Sequence, residues 1–218
     1  MTATTLLLLL APPLACGPTA PVPSRLGVGP ETADPRLETL YRSGREFGDF
    51  LETAERRREL WVRNYEEGAV PDDLLERARA LEGRWRILAI AEDWCSDSVN
   101  TLPFLALLAV GSDAIELRVI DSETAGEVTR SYRTPDDRAA TPTILVLDRD
   151  FEEVGCWVER PSRLQTWALE TRPTLDDREF LARKMAWYAE DEGRSTIREV
   201  LERIEAAAAG SRICEGGA

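Results

Sequence analysis

Histidine is absent from the 218-residue chain. That removes imidazole-based triads, histidine proton relays and histidine-containing metal sites from consideration. Lysine is nearly absent too. Of the 27 basic residues only Lys184 is a lysine, which reads as a compositional bias and not as a functional signal. Positive charge is in the minority: 40 acidic residues leave a net charge of -13. Phosphate backbones and anionic lipid headgroups are repelled by such a chain, so nucleic acid is not an expected partner. Four cysteines are too few for a disulfide-stapled scaffold. No cofactor and no metal is expected. What is present is an apolar content of 43%, enough for one sizeable core with appendages.

A leucine run, Leu6 to Leu10, is followed by Ala11-Pro12-Pro13-Leu14-Ala15-Cys16-Gly17. It is too short to span a bilayer, and small residues before a cysteine resemble a bacterial lipoprotein signal, with Cys16 lipidated as the first residue of the mature chain. No base precedes the leucines, and Pro13 stands where such signals usually carry an aliphatic residue. The expectation is export, as a membrane-anchored lipoprotein or a periplasmic protein, with membrane contact only through the lipid; the alternative is a cytoplasmic leader. Residues 1–16 are then the signal, and 17–33, rich in Pro, Gly, Ala and Thr, a flexible tether. With Cys16 lipidated, Cys95, Cys156 and Cys214 remain, and at most one disulfide can form.

The folded part is expected over 34–209. Asp34-Pro35 fits a helix N-cap, and one apolar stripe runs from Leu37 through Phe47, Leu51 and Trp61 to Tyr65, stopping near Gly68. A second helix starts near Pro71. These helices (34–83) precede a core in which 84–91 and Ile115 to Ile120 are strands, Ser122 to Tyr132 is a short helix, and Thr143 to Leu147 pairs with Val154 to Val158 as a hairpin. Pro161 to Thr171 forms a helix. A C-terminal extension (173–209) carries Phe180, Met185, Trp187 and Tyr188 on one helix, then a last helix opened by a Thr196/Glu199 capping box. The tail 210–218 has too few apolar residues to order itself.

The centre of the chain is Glu92-Asp93-Trp94-Cys95-Ser96-Asp97-Ser98. An apolar strand ends in Trp-Cys and a helical pattern with Pro103 follows, which puts Cys95 at a helix N-terminus. Farther on, Thr141-Pro142 opens another apolar strand. These features in this order resemble the thioredoxin superfamily. The wording of this corner, with Trp157-Val158-Glu159-Arg160-Pro161 later, is similar to a bacterial branch of it carrying a monothiol W-C-x-D-S motif. The resemblance covers roughly residues 84 to 172. It implies an α/β fold, a thioredoxin-like three-layer α/β/α sandwich with extra helices at both ends. It also implies a cis Thr141–Pro142 bond facing Cys95, and a groove where backbone pairs with an extended substrate. The residues implied for that groove are Trp94, Ser96, Asp97, Ser98, Thr141 and Pro142. Two parts of the dithiol machinery are missing: Ser98 replaces the second cysteine, and Ala89 occupies the position of a buried proton-transferring carboxylate.

A free cysteine with a pKa of about 8.5 is only about 3% ionised at neutral pH, so activation of Cys95 must come from its surroundings. A helix N-terminus contributes about 0.3–1 kcal/mol, and Glu92, Asp93 and Asp97 act in the opposite direction. Asp97 could equally cap the helix. Cys156, alternating with Val154 and Val158, reads as a small buried residue. Cys214 reads as a bystander or a remote resolving thiol. Trp94 and Trp157 either line a groove or pack the core. Two functions fit: a monothiol thiol-disulfide oxidoreductase using Cys95 and an external or remote resolving thiol, its partners being protein or small-molecule thiols and disulfides; or a redox-silent module that binds peptides or proteins.

Overall fold

The computed structural model describes residues 34–214. The leucine run, Cys16, the 17–33 segment and the last four residues lie outside the described residues. In chain order the elements are α1 (Pro35–Ser43), α2 (Phe47–Thr53), α3 (Arg58–Glu66), α4 (Asp72–Arg79), β1 (Trp85–Ile90), α5 (Leu102–Gly111), β2 (Ile115–Ile120), α6 (Ser122–Ala125), α7 (Glu127–Ser131), β3 (Thr143–Leu147), β4 (Glu153–Val158), α8 (Ser162–Thr171), α9 (Asp177–Asp191), α10 (Arg194–Ala208) and β5 (Ile213–Cys214). The sheet runs β2-β1-β3-β4-β5. β1 is parallel to β2 and antiparallel to β3, and β4 is antiparallel to β3 and parallel to β5.

Alternation along β1 builds the two faces. Ile87 and Ala89 point into a core shared with Trp61, Leu74, Leu105, Trp157 and Val200, whereas Leu88 and Ile90 point to Leu37, Tyr41, Ala125, Val128 and Phe151. A strand covered on both sides has no polar face, which is why Ile87-Leu88-Ala89-Ile90 reads as an unbroken apolar run. This is a three-layer α/β/α arrangement with additional helices. α5 is apolar almost all round because the additional helices cover it: α3, α4 and α10 all pack against it. The extensions therefore complete the core instead of decorating it.

The single N-terminal stripe is in fact three helices. α1 has its expected cap, Asp34 accepting from the Arg36 amide at 3.0 Å, but it ends at Ser43. The chain then passes so close to β2 that a Cβ on Gly44 would lie 2.8 Å from the Arg118 Cβ, and Arg45 exchanges two 2.9 Å backbone hydrogen bonds with Val119. A second break, between α2 and α3, serves the corner described below. Helicity over Ser122 to Tyr132 is likewise interrupted at Gly126. The last helix starts at Arg194, not at Thr196. Gly193 is its left-handed N-cap, and the Glu199 carboxylate, instead of closing a capping box, accepts from Trp157 Nε1 at 2.8 Å and from the Ser162 amide and hydroxyl at 3.0 and 2.7 Å.

The tail contributes the short strand β5 at Ile213–Cys214. Cys156 and Cys214 form a disulfide across a sequence separation of 58, so Cys156 is not an isolated small core residue and Cys214 is neither a bystander nor available to resolve Cys95. The bridge holds Ile213 and Cys214 beside β4 where apolar content alone would not. Closing a loop of that length removes about 4 kcal/mol of chain entropy from the unfolded state. Cys214→Ser is expected to lose about 2–4 kcal/mol of stability, read as a lower urea midpoint than wild type under oxidising conditions and no difference between the two in reductant.

Candidate functional site

Cys95 does not sit at the N-terminus of an α-helix. It lies in a turn whose amide donates to the Glu92 carbonyl at 3.2 Å, followed by a 3₁₀ turn at Ser98–Asn100 and only then by α5 at Leu102. The turn is fixed from α3: Asn64 Nδ2 donates to the Val99 carbonyl at 2.9 Å and to Asn100 Oδ1 at 3.2 Å, and Asn100 Nδ2 donates to the Ser96 carbonyl at 2.7 Å. The thiol donates to the Thr141 carbonyl at 3.2 Å, and the Ser98 amide approaches Sγ at 3.5 Å. Two distant stretches of sequence thus meet at one sulfur. The Thr141–Pro142 peptide bond is cis.

A cleft of about 560 Å³ opens here, lined by Trp94, Cys95, Ser96, Asp97 and Thr141 together with Arg57, Arg138 and Glu159. Trp94 is 57% exposed at its edge. Ser98 and Pro142 are buried behind it, and Trp157 is a fully buried core residue. A larger cleft of about 780 Å³, against Asn100, Phe104 and Tyr188, contains no thiol and lies on the other side of the turn.

Asp97 is not a helix cap. Its carboxylate is buried and accepts from Lys184 Nζ at 2.6 Å and from the Tyr188 hydroxyl at 2.8 Å, while Arg160 Nε stands 3.5 Å away. Arg160 also pairs with Glu159; Glu159 pairs with Arg138 at 3.1 Å, and Arg138 with Asp136 at 2.6 Å. Glu159 is held in the left-handed region, φ 69°, as is Arg57 at φ 55° on the other wall. Such backbone costs a non-glycine residue about 1 kcal/mol or more and survives only where its surroundings enforce it. Burial first, then the Asp97 charge and hydrogen bond, push the Tyr188 phenol well above its ordinary range, with Cys95 adding to the rise. Arg138 is held above its ordinary value chiefly by its hydrogen bond to Asp136, so it stays cationic.

Sequence reasoning placed Trp94, Cys95, Ser96, Asp97 and Thr141 together and missed Arg57, Arg138, Glu159, Arg160, Lys184 and Tyr188. One signal for Lys184 was available: it is the single lysine of the chain, and it is spent on a buried position. Arg57 and the N-terminal helices were missed because their link to the corner runs through backbone. Asp93 Oδ2 accepts from the Glu55 and Arg56 amides at 3.0 and 2.9 Å, Trp61 Nε1 donates to the Asp93 carbonyl at 2.9 Å, and Arg57 Nε donates to the Trp94 carbonyl at 2.7 Å. A continuous helix would have bonded those two amides internally, which explains the break before α3.

A sequence profile of the thioredoxin family matches residues 44–177. The chain belongs to the thioredoxin family. Among solved structures it is similar to a protein of unknown function from Pseudomonas aeruginosa, 28% identical over 77% of this chain and 96% of that one, with a TM-score of 0.62. It is similar also to an HIV epitope-scaffold, 26% identical over 78% of this chain and 97% of the other, with a TM-score of 0.60. No curated protein matches the chain. As a thioredoxin-family member it departs from the dithiol pattern at Ser98, and its buried carboxylate near the thiol comes from Asp97 and not from β1.

Asp93→Ala leaves the Glu55 and Arg56 amides without their anchor. It is expected to cost about 1–2 kcal/mol and to speed trypsin cleavage within Arg56-Arg57-Arg58 several-fold, followed by mass spectrometry of the fragments.

Proposed function

We propose that this thioredoxin-family chain is a monothiol thiol-disulfide oxidoreductase acting through Cys95 in its Trp94-Cys95-Ser96-Asp97-Ser98 corner. The observation that carries this reading is the placement of Cys95 Sγ 3.2 Å from the Thr141 carbonyl on the wall of an open cleft, as the one free thiol among the described residues. A substrate disulfide entering beside Trp94 meets Cys95 on the cleft lining, 7% exposed, with the Thr141 backbone next to it. The Cys95 thiolate attacks one sulfur of the disulfide; the substrate S–S bond breaks, a mixed disulfide forms and a substrate thiolate leaves. An external thiolate then attacks the mixed disulfide and regenerates the Cys95 thiolate, so the pair of electrons comes from that thiol. Among the described residues no internal thiol can resolve it, because Ser98 carries a hydroxyl and Cys156 and Cys214 are bonded to each other.

A second reading, a redox-silent binding module, draws support from the thiol donating to a carbonyl, which favours its neutral form, and from the exposure of Trp94, a residue type suited to anchoring a partner. We also propose export, with Cys16 as the lipid-bearing residue and 17–33 as spacer. The Cys156–Cys214 disulfide supports an oxidising compartment, and no helix among the described residues is long and apolar enough to cross a membrane.

Cys95→Ser is expected to abolish exchange of a small aromatic disulfide while changing stability by less than about 1 kcal/mol. Ser98→Cys should be accepted readily, since the Ser98 hydroxyl is buried with no hydrogen-bond partner among the described residues. The new thiol should close a disulfide with Cys95 and raise dithiol activity, measured as insulin reduction. Capture of partners by Cys95→Ser with undiminished affinity, alongside no mixed disulfide in wild type, would move the assignment to the binding module.

A further inference from the structure

The local contacts of Cys95 oppose each other. The Thr141 carbonyl takes the thiol hydrogen and so favours the neutral form, while the Ser98 amide aimed at Sγ favours the thiolate. The remaining influence on the sulfur comes from the charges around the turn. These form one alternating series, Asp136, Arg138, Glu159, Arg160, Asp97 and Lys184, joined pair by pair. The series is neutral as a whole, and Glu159, Arg160, Asp97 and Lys184 are almost completely buried. Loss of any of these four leaves an unbalanced charge near the cysteine turn, where little water screens it.

Lys184 closes the series from α9, an element outside the sheet that carries Cys95. It is 5% exposed, and its ammonium donates to Asp97 Oδ2 at 2.6 Å and to Ser96 Oγ at 2.8 Å, the two residues that follow Cys95. Every other base in the chain is an arginine. A compact ammonium suits a space shared by a hydroxyl and one carboxylate oxygen, where a planar five-donor fork would leave donors unpaired. Asp97, already bound by Lys184 and Tyr188 and faced by Arg160, is a poor acceptor for the thiol proton, which leaves to water in the cleft. Its influence on Cys95 is through charge.

We propose that Lys184 and Asp97 are positioning residues that set the ionisation of Cys95 as an opposed pair, the ammonium from α9 favouring the thiolate and the carboxylate restraining it. The C-terminal extension thereby governs the thiol in the absence of the usual carboxylate on β1. The groups facing Cys95 are Glu92, Asp93 and Asp97 on its own turn, Arg57 before α3, Arg138 in the loop before β3, Glu159 and Arg160 after β4, and Lys184 and Tyr188 on α9. Glu92 is held by the Ser122 amide at 3.0 Å and by the Ser122 hydroxyl, and Asp93 by the two amides already described.

The pair deepens the monothiol reading and rests on it for its purpose, but its test does not depend on turnover. Iodoacetamide alkylation is followed from about pH 5 to pH 10 on a Cys16→Ser background with the Cys156–Cys214 bridge intact, so that one thiol reports. Asp97→Asn leaves Lys184 and Arg160 unbalanced; the titration midpoint should fall by about one unit and the rate below the midpoint rise about tenfold. Lys184→Met should move the midpoint up and slow alkylation by a similar factor, and Lys184→Arg, which keeps the charge, should return it toward wild type. Glu159→Gln, at the cleft wall, should shift it in the same direction as Asp97→Asn by less, and decides the matter if Lys184→Met does not fold. Midpoints that stay put in folded Asp97→Asn and Glu159→Gln, or that move the same way in Asp97→Asn and Lys184→Met, overturn the proposal. Opposed shifts in a chain that exchanges no disulfide keep the pair and sink the oxidoreductase reading; unmoved midpoints in an active chain do the reverse.

Discussion

The buried carboxylate of Asp97 is the constraint on which the corner depends. A lone anion in that position would be costly to desolvate, and the structure meets the cost with an ammonium from α9, a phenol one turn farther along the same helix and a guanidinium from the end of β4. The partners come from two separate parts of the chain, α9 and the end of β4, so satisfying one charge fixes the relative placement of the cysteine turn, the end of β4 and the C-terminal extension. The N-terminal helices are fixed to the same turn by different means, the Asp93 carboxylate and the backbone around it. The turn is thus clamped from both extensions, and the sheet only supplies its floor.

This arrangement explains which features could be read from the sequence. The strands were legible because burial on two faces leaves only apolar residues, as in β1, and because the Asp148-Arg149-Asp150 turn separates two β-rich runs. The cleft residues adjacent to Cys95 were legible for a similar reason, since they are local in sequence. Asp97 was recognised as a residue of the corner, with capping as one use of its side chain, but its cation partners were not. Its side chain could reach backbone amides or side-chain cations, and only the long-range packing of α9, 87 residues away, selects the second. Helix boundaries failed where a tertiary contact outweighs periodicity: at Gly44, which must approach β2, and at Ala54 to Arg57, where Asp93 takes the Glu55 and Arg56 amides.

Cysteine placement teaches a related point. Cys156 has the alternation of a core residue and is one, fully buried, yet it is also half of a covalent bridge. Periodicity reports which face a residue occupies and says nothing of what arrives there from elsewhere. Gly155, beside it, gives the reason that a neighbour fits at all: a Cβ there would come within 3.1 Å of the Ile213 carbonyl and 3.3 Å of the Arg203 Cβ.

The two ends of the sheet are finished in different ways. Beyond β2 the Arg45 backbone fills the position of another strand at Val119, and beyond β4 the short β5 lies parallel and is stapled in place. Outer strands with open donors and acceptors are templates on which a second chain can extend the sheet. Here both are partly occupied by the protein's own backbone. That occupation opposes chain-to-chain pairing into extended aggregates at either end of the sheet.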